Sequence, residues 1–467
     1  MWERYGFYAL QTLLVLYLAF HFHWQDKRVY SLVGTFTGLT YLSPLVGGWI
    51  ADNLLGQKYS IIVGAVILGL SYTALFLFPS ERDLLLALSG VAVGAGLLKP
   101  NISSLLGHEY PMDSPYRDMG FTIFYMGIVS GILMGTLIPS QLNYYFGWPM
   151  TFGSAAIGML IALAIFILGA YYYDIQDYCP RVRRLSDCLK AAGIIFISGA
   201  ISFLILRYPT VADAIFLAVT LYAMFYFFLL IQRSTIDRAK QIKVIGLLCI
   251  ISILFWAFYF QMFLSLTLLI KRIASPSLGG ILFPPPYYVC IQSLGIIVLG
   301  YLISRKSFFS QDPKQDKPMT TENKFLLAMV FMLFAYTLIT VICYKNIDTQ
   351  ALLSPLYFIP AYLMISIAEL LLSPTGLAAV TALASNETVS TLVGIFFASL
   401  GVGAFLSGKL ADLTAINPEL ISLIQLKIHY ANTLKYLLFF LIVSTLICVL
   451  LNRIIKSLLR VDHNAPH

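Results

Sequence analysis

The chain has 467 residues, of which 59% are hydrophobic and 11% charged, with a mean hydropathy of +0.83. A soluble protein of this size carries about twice that share of Asp, Glu, Lys and Arg on its surface, so a soluble enzyme is excluded and the solvent is lipid. The net charge of +8 does not point to nucleic acid. Most of the Lys and Arg gather in one set of loops, which is the mark of membrane orientation.

A membrane span needs roughly 20 mostly apolar residues, and fourteen such segments are predicted in chain order. Six lie near 1–21, 30–52, 58–79, 83–107, 118–142 and 148–173. Two more follow at 189–206 and 211–231, and the last six at 243–270, 284–304, 324–344, 353–383, 389–413 and 430–452. The connections, such as 109–115 and 311–314, are short, polar and rich in turn formers, so none forms a separate domain. The first residues run from Glu3 and Arg4 straight into an apolar stretch, and no cleavable signal peptide is expected. The 6 Cys are scattered, with Cys249, Cys343 and Cys448 inside apolar runs, which suggests neither a disulfide framework nor a zinc site.

Lys and Arg are retained in cytoplasmic loops. One set of alternate loops holds Arg181, Arg183, Arg184, Lys190, Arg233, Arg238, Lys240, Lys243, Arg305, Lys306, Lys314, Lys317 and Lys324, and the chain end adds Arg453, Lys456 and Arg460. The opposite set holds about half as many, Arg272 and Lys427 among them. Both termini are therefore expected in the cytoplasm, in agreement with an even number of spans. The expected fold class is an all-α membrane protein of two six-helix bundles, 1–173 and 243–467, joined by a linker, 174–242, that carries two inserted helices. Transporters of the major facilitator type share this outline, with a substrate site near the bilayer midplane.

Ionisable groups inside spans cost roughly 2.5–3.5 kcal/mol near the bilayer centre and mark function unless they sit at the membrane edge. Four stand out: Glu3 and Arg4 in the first span, Lys99 in the fourth and Glu369 in the tenth of the twelve bundle helices. Pro100 follows Lys99 and Pro374 follows Glu369, and proline in a span is tolerated where the freed carbonyls line a protein cavity.

Five stretches carry a resemblance. Residues 47–58, with Gly47, Gly48, Asp52, Gly56 and Lys58, resemble the loop signature between helices 2 and 3 of facilitator transporters, where glycines allow close helix approach and Asp52 is placed to cap or pair at a helix end. Residues 3–8 resemble the end of a helix 1 motif, 94–104 a helix 4 motif containing Lys99, with 117–127 following at the same spacing, and 369–377 a helix 10 motif containing Glu369. Together they are similar to the proton-dependent oligopeptide transporter (POT, also PTR) family of prokaryotic type, over essentially the whole chain. The resemblance implies symport of di- and tripeptides with protons across a bacterial inner membrane. In that reading Glu3, Arg4, Lys99 and Glu369 couple protons, Lys99 and Glu369 orient the peptide zwitterion, and Tyr8, Gln11, Tyr41, Gln261 and Ser373 join them at the substrate. No cofactor beyond the proton gradient and no nucleic acid is implied, and a monomer is expected. The absence of a phosphate-binding glycine loop argues against an ATP-driven pump.

The departures matter as much. The first glutamate of the helix 1 motif would precede Met1, Phe7 replaces a motif tyrosine, and Gln11 and Phe260 stand where members pair arginine with glutamate. Losing both charges together reads as coordinated removal of an extracellular gate, since losing one would strand a buried charge. Val129 and Gly295 replace two pocket asparagines and Phe396 a tryptophan. These losses leave two alternatives: the same fold carrying another small zwitterion or anion, or a non-transporting membrane receptor, which would have no need to keep a proton relay.

Overall fold

A computed structural model describes the chain except residues 79, 111–115, 179–183, 310–319, 386–387, 417–421 and 460–467 and the side chains of 118 and 303–309. The predicted turns at 111–115 and 311–314, together with the basic residues Arg181, Arg183, Arg305, Lys306, Lys314, Lys317 and Arg460, fall outside the described residues or side chains.

The chain is a multi-pass helical protein. α1 (Trp2–Phe20), α2 (Asp26–Ile50), α3 (Gln57–Leu77) and α4 (Glu81–Glu109) each cross once. α5 (Arg117–Tyr172) is a 56-residue helix broken at Gly147, whose φ of 79° and ψ of −176° no helix accommodates. Pro149 starts the next turn, so α5 supplies two crossings joined almost without a loop. α6 (Leu185–Arg207) and α7 (Pro209–Gln232) are the inserted pair. α8 (Ile236–Tyr259) and the short amphipathic α9 (Ser265–Ile273) share one crossing, interrupted by a tight turn over Phe260–Phe263. α10 (Pro286–Phe309), α11 (Thr321–Lys345), α12 (Ile359–Leu383), α13 (Val389–Ala411) and α14 (Leu423–Leu459) complete the set. A two-stranded hairpin, Ser277–Leu278 with Ile281–Leu282, lies between α9 and α10. Fully outward apolar side chains such as Phe196 (77% exposed) and Leu168 (67%) fit a surface solvated by lipid rather than water.

The chain divides into two compact units, 1–24 with 31–214, and 25–30 with 215–467. This differs from the expected bundle–linker–bundle division. The inserted pair is no third body, because α6 packs on α4 in the first unit while most of α7 belongs to the second. The first turn of α2 also belongs to the second unit.

In the first unit the glycine-rich loop acts as expected in one respect. Gly47 of α2 lies so close to the Gly96 carbonyl of α4 that any Cβ there would collide. In another respect the expectation needs correction. Asp52 is exposed and makes no hydrogen bond or ion pair among the described residues. The start of α3 is capped instead by Asp177, whose Oδ1 accepts from the Lys58 backbone N–H at 2.9 Å, while Lys58 Nζ donates to the Ile175 carbonyl at 2.8 Å. A carboxylate at a helix N-terminus satisfies an orphan donor and the helix dipole together.

Lys427 and Asp26 are among the buried charged residues of the second unit. Lys427 of α14 is fully enclosed, its ammonium donating at 2.7 Å each to the Thr349 carbonyl, the Thr349 hydroxyl and the Ala351 carbonyl. All three donors are used, which is what allows a lysine to be buried without a counter-charge. Asp26, at the start of α2, is 1% exposed and receives both Arg272 nitrogens at 2.7 Å, plus the Ile416 backbone N–H at 2.9 Å. Arg272 also donates to Tyr430 Oη at 2.9 Å.

Candidate functional site

Two charge clusters can be built, one in each unit. In the first, α1 is laid against α5 along Gly131 and Gly135. A Cβ at Gly131 would strike the Met1 carbonyl and Arg4 Cβ, and one at Gly135 would come within 2.5 Å of the Tyr5 carbonyl. This close approach, fixed also by Tyr5 Oη donating to Ser154 Oγ at 2.8 Å, buries Glu3 and Arg4 inside the bundle. Arg4 Nε meets Glu3 Oε2 at 2.7 Å, and Glu3 Oε1 is buried with no hydrogen-bond partner.

Lys99 does not face Glu3 in an ion pair. Its ammonium sits 3.8 Å from the centroid of the Phe7 ring and 5.9 Å from that of Tyr41, while the Arg4 guanidinium lies 5.9 Å from the same Phe7 ring. Phe7 offers a π face to two cations, an attraction worth about 0.5–2 kcal/mol. The structure brings Glu3, Arg4, Lys99 and Tyr41 around this ring. Tyr8 is the next residue of α1, its ring edge-on to Phe7 at 5.7 Å.

In the second unit Glu369 projects from α12, five residues before the helix-internal Pro374. Tyr259 Oη donates to Glu369 Oε2 at 2.7 Å and Gln292 Nε2 donates to the same oxygen at 2.6 Å. Gln292 is itself held from behind, since Ser366 Oγ donates to its backbone carbonyl at 2.7 Å. Both neighbours are neutral, both use Oε2, and Oε1 takes no hydrogen bond among the described residues. A carboxylate so placed has one oxygen fixed by the protein and one with capacity to accept a further donor.

Other expected site residues have structural partners. Gln11 donates to Thr37 Oγ1 at 2.9 Å between α1 and α2. Gln261 is wholly buried at the break between α8 and α9, donating to the Ser407 carbonyl at 2.7 Å and accepting from Ser265 Oγ at 2.6 Å. Its amide is therefore used in tying that break to α13 rather than offered to a substrate. Ser373 is half-buried and makes no side-chain hydrogen bond among the described residues. Gly295 is not a pocket position that lost its amide: a Cβ there would meet Ser366 Oγ at 2.5 Å in the α10–α12 contact. The amide that serves Glu369 is Gln292, three residues earlier. Sequence reasoning missed it, along with Tyr259, Asp26 and Arg272. The signals were a glutamine and a tyrosine inside apolar spans, and an acid and a base at the ends of segments expected on the same side of the membrane.

The sequence model described as the POT family matches residues 59–426. The chain belongs to the POT family. Among curated POT relatives, the dipeptide and tripeptide permease A of Chromobacterium violaceum is 30% identical over 419 residues, 89% of this chain and 83% of the relative. The dipeptide and tripeptide permease B of Edwardsiella piscicida is 27% identical over 423 residues, 89% and 85% respectively. Solved structures agree on the fold. One described as giving structural insights into substrate recognition in proton dependent oligopeptide transporters superposes with a TM-score of 0.81 at 24% identity, covering 98% of this chain and 97% of the other. The crystal structure of tetrameric PepTSo2 superposes at 0.82 with 25% identity, covering 98% and 96%. The POT match begins at residue 59, so the Glu3–Arg4 cluster lies outside it and stands on its own geometry.

Proposed function

We propose that this protein is a proton-coupled symporter that imports di- and tripeptides by alternating access, driven by the proton gradient without a cofactor. The observation that carries the reading is Glu369, a carboxylate within a span that has no cationic partner among the described residues and keeps Oε1 open. Such a group suits the free amino terminus of a peptide, and the permease names of the relatives give the peptide length. In the other unit Arg4 and Lys99 form a separate cationic cluster around Phe7, the charge type that a carboxylate group requires.

Glu3 is the proton site in this proposal. Its Oε2 is taken by Arg4 and its Oε1 is buried and without a hydrogen-bond partner among the described residues, so a proton arriving there neutralises the carboxylate and releases the guanidinium. The exchange of an ion pair for a neutral acid biases two packings of α1, which is the kind of local switch that alternating access needs. The protein is assigned to a bacterial inner membrane with both termini cytoplasmic, on the loop charges, and to a monomer, since one chain carries both clusters.

The test uses the purified protein in proteoliposomes. Glu369→Gln should weaken binding of a free dipeptide at least tenfold and leave an N-acetylated analogue almost unaffected. Equal loss for both ligands, or for neither, would show that the carboxylate does not read the amino group and would favour another cargo.

A further inference from the structure

An aromatic contact ties α7 to α13. Phe216, 2% exposed, is stacked face to face on Phe405 of α13, with ring centroids 4.2 Å apart and planes 4° apart. Otherwise the helix is almost bare, with only 6% of its most apolar window buried. Toward its C-terminal end a groove of about 640 Å³ runs between α7, α8, α13 and α14. On α7 it extends from Val219 to Ile231 and on α8 from Lys243 to Ile253. At 1.5 Å per residue these walls are about 18 and 15 Å long. One leaflet of the hydrocarbon core is about 15 Å deep, so the groove is a slot one leaflet deep.

Its lining is almost wholly apolar except at one end. There Lys243, exposed and without a hydrogen bond or ion pair among the described residues, stands at the mouth. The surroundings reinforce the sign. Arg233, Arg238 and Lys240 lie on the same connection, and its one acid, Asp237, already faces Lys240 at 3.5 Å. A slender acyl chain suits an apolar slot of this length, and the cationic mouth suits an anionic head group.

We propose that this groove binds an anionic phospholipid, with an acyl chain between α7 and α8 and the phosphate on Lys243. The lipid supplies the packing that α7 lacks against its own unit. The ligand class follows from the slot and the charge alone and is independent of the cargo of the transporter.

Native mass spectrometry of the full-length, delipidated protein tests this with three probes: phosphatidylglycerol, phosphatidylcholine with the same chains, and sn-glycerol 3-phosphate. Phosphatidylglycerol should bind at least fivefold more tightly than phosphatidylcholine, and glycerol 3-phosphate should not bind. Lys243→Gln, a change at an exposed position, should remove that preference. Filling the slot with Gly246→Trp, where a Cβ would lie 3.8 Å from Phe227, or with Ile250→Trp if the first fails to fold, should abolish the adduct. Equal binding of both lipids, binding of glycerol 3-phosphate alone, or wild-type binding by the variants would overturn the proposal.

Discussion

Glu3 and Glu369 share a pattern: each has one carboxylate oxygen engaged by the protein and the other unengaged, but the first is buried beside a cation and the second is served only by neutral donors. The difference separates their roles. Glu3→Gln should abolish uphill, proton-driven uptake while counterflow of labelled dipeptide remains measurable, and normal accumulation in that variant would remove Glu3 from the mechanism. Asp26 and Arg272 carry a different prediction. Removing one member of a buried pair costs about 3–5 kcal/mol, whereas replacing both with apolar residues is often close to neutral. Asp26→Asn should therefore lower the melting temperature sharply, and Asp26→Leu with Arg272→Met should recover most of it; strict additivity would mean that the pair is not coupled. At this scale the sequence disclosed the expensive charges, because ionisable residues inside spans are few. It could not disclose Gln292 or Tyr259, whose significance depends on which helix face they share with Glu369. At Gln11 and Phe260 it pointed to an absent ion pair and gave no sign of the one that Asp26 and Arg272 form.

Helix contacts in this protein are set by where side chains are missing. Gly47 and Gly48 are adjacent in the same motif, yet a Cβ at Gly47 would collide with α4 while one at Gly48 would meet nothing within 4 Å. Gly131 is of the first kind and carries α1 with its two charges. Gly131→Leu should displace the Glu3–Arg4 cluster, at a cost of about 1–3 kcal/mol or more for overpacking, and lose proton-driven accumulation. Gly48→Ala should retain wild-type uptake and melting temperature. If Gly131→Leu transported normally, the α1–α5 contact would not be what positions the cluster. Most helices were legible as apolar runs of the right length, and α5 as two of them, since Gly147 and Pro149 interrupt the sequence pattern. The ends were less legible. α2 begins at Asp26 rather than near 30 because a polar first turn hides from a hydropathy window, and that hidden turn holds one half of the buried ion pair.

Over the whole chain the helical, multi-pass character follows from composition and spacing, but the allocation of the inserted helices does not. α6 and α7 are similar in length and apolarity, and only packing sends the first to α4 and the second to α13. Nor does the sequence separate a lysine that faces water from one that faces oxygens. Lys427 was counted with the basic residues of an exposed loop, whereas all three of its N–H bonds end on Thr349 and Ala351. That burial has a chemical consequence. An amine locked to three acceptors has no lone pair to offer an electrophile, so acylating reagents should modify Lys240 and Lys243 in seconds to minutes and reach Lys427 only when the connection after α11 comes away from α14. Peptide mapping after timed exposure would read this directly, and early acylation of Lys427 would contradict it. The residue is thus a built-in clock: its reaction time measures how often that end of the folded transporter opens, in the membrane and without any engineered residue.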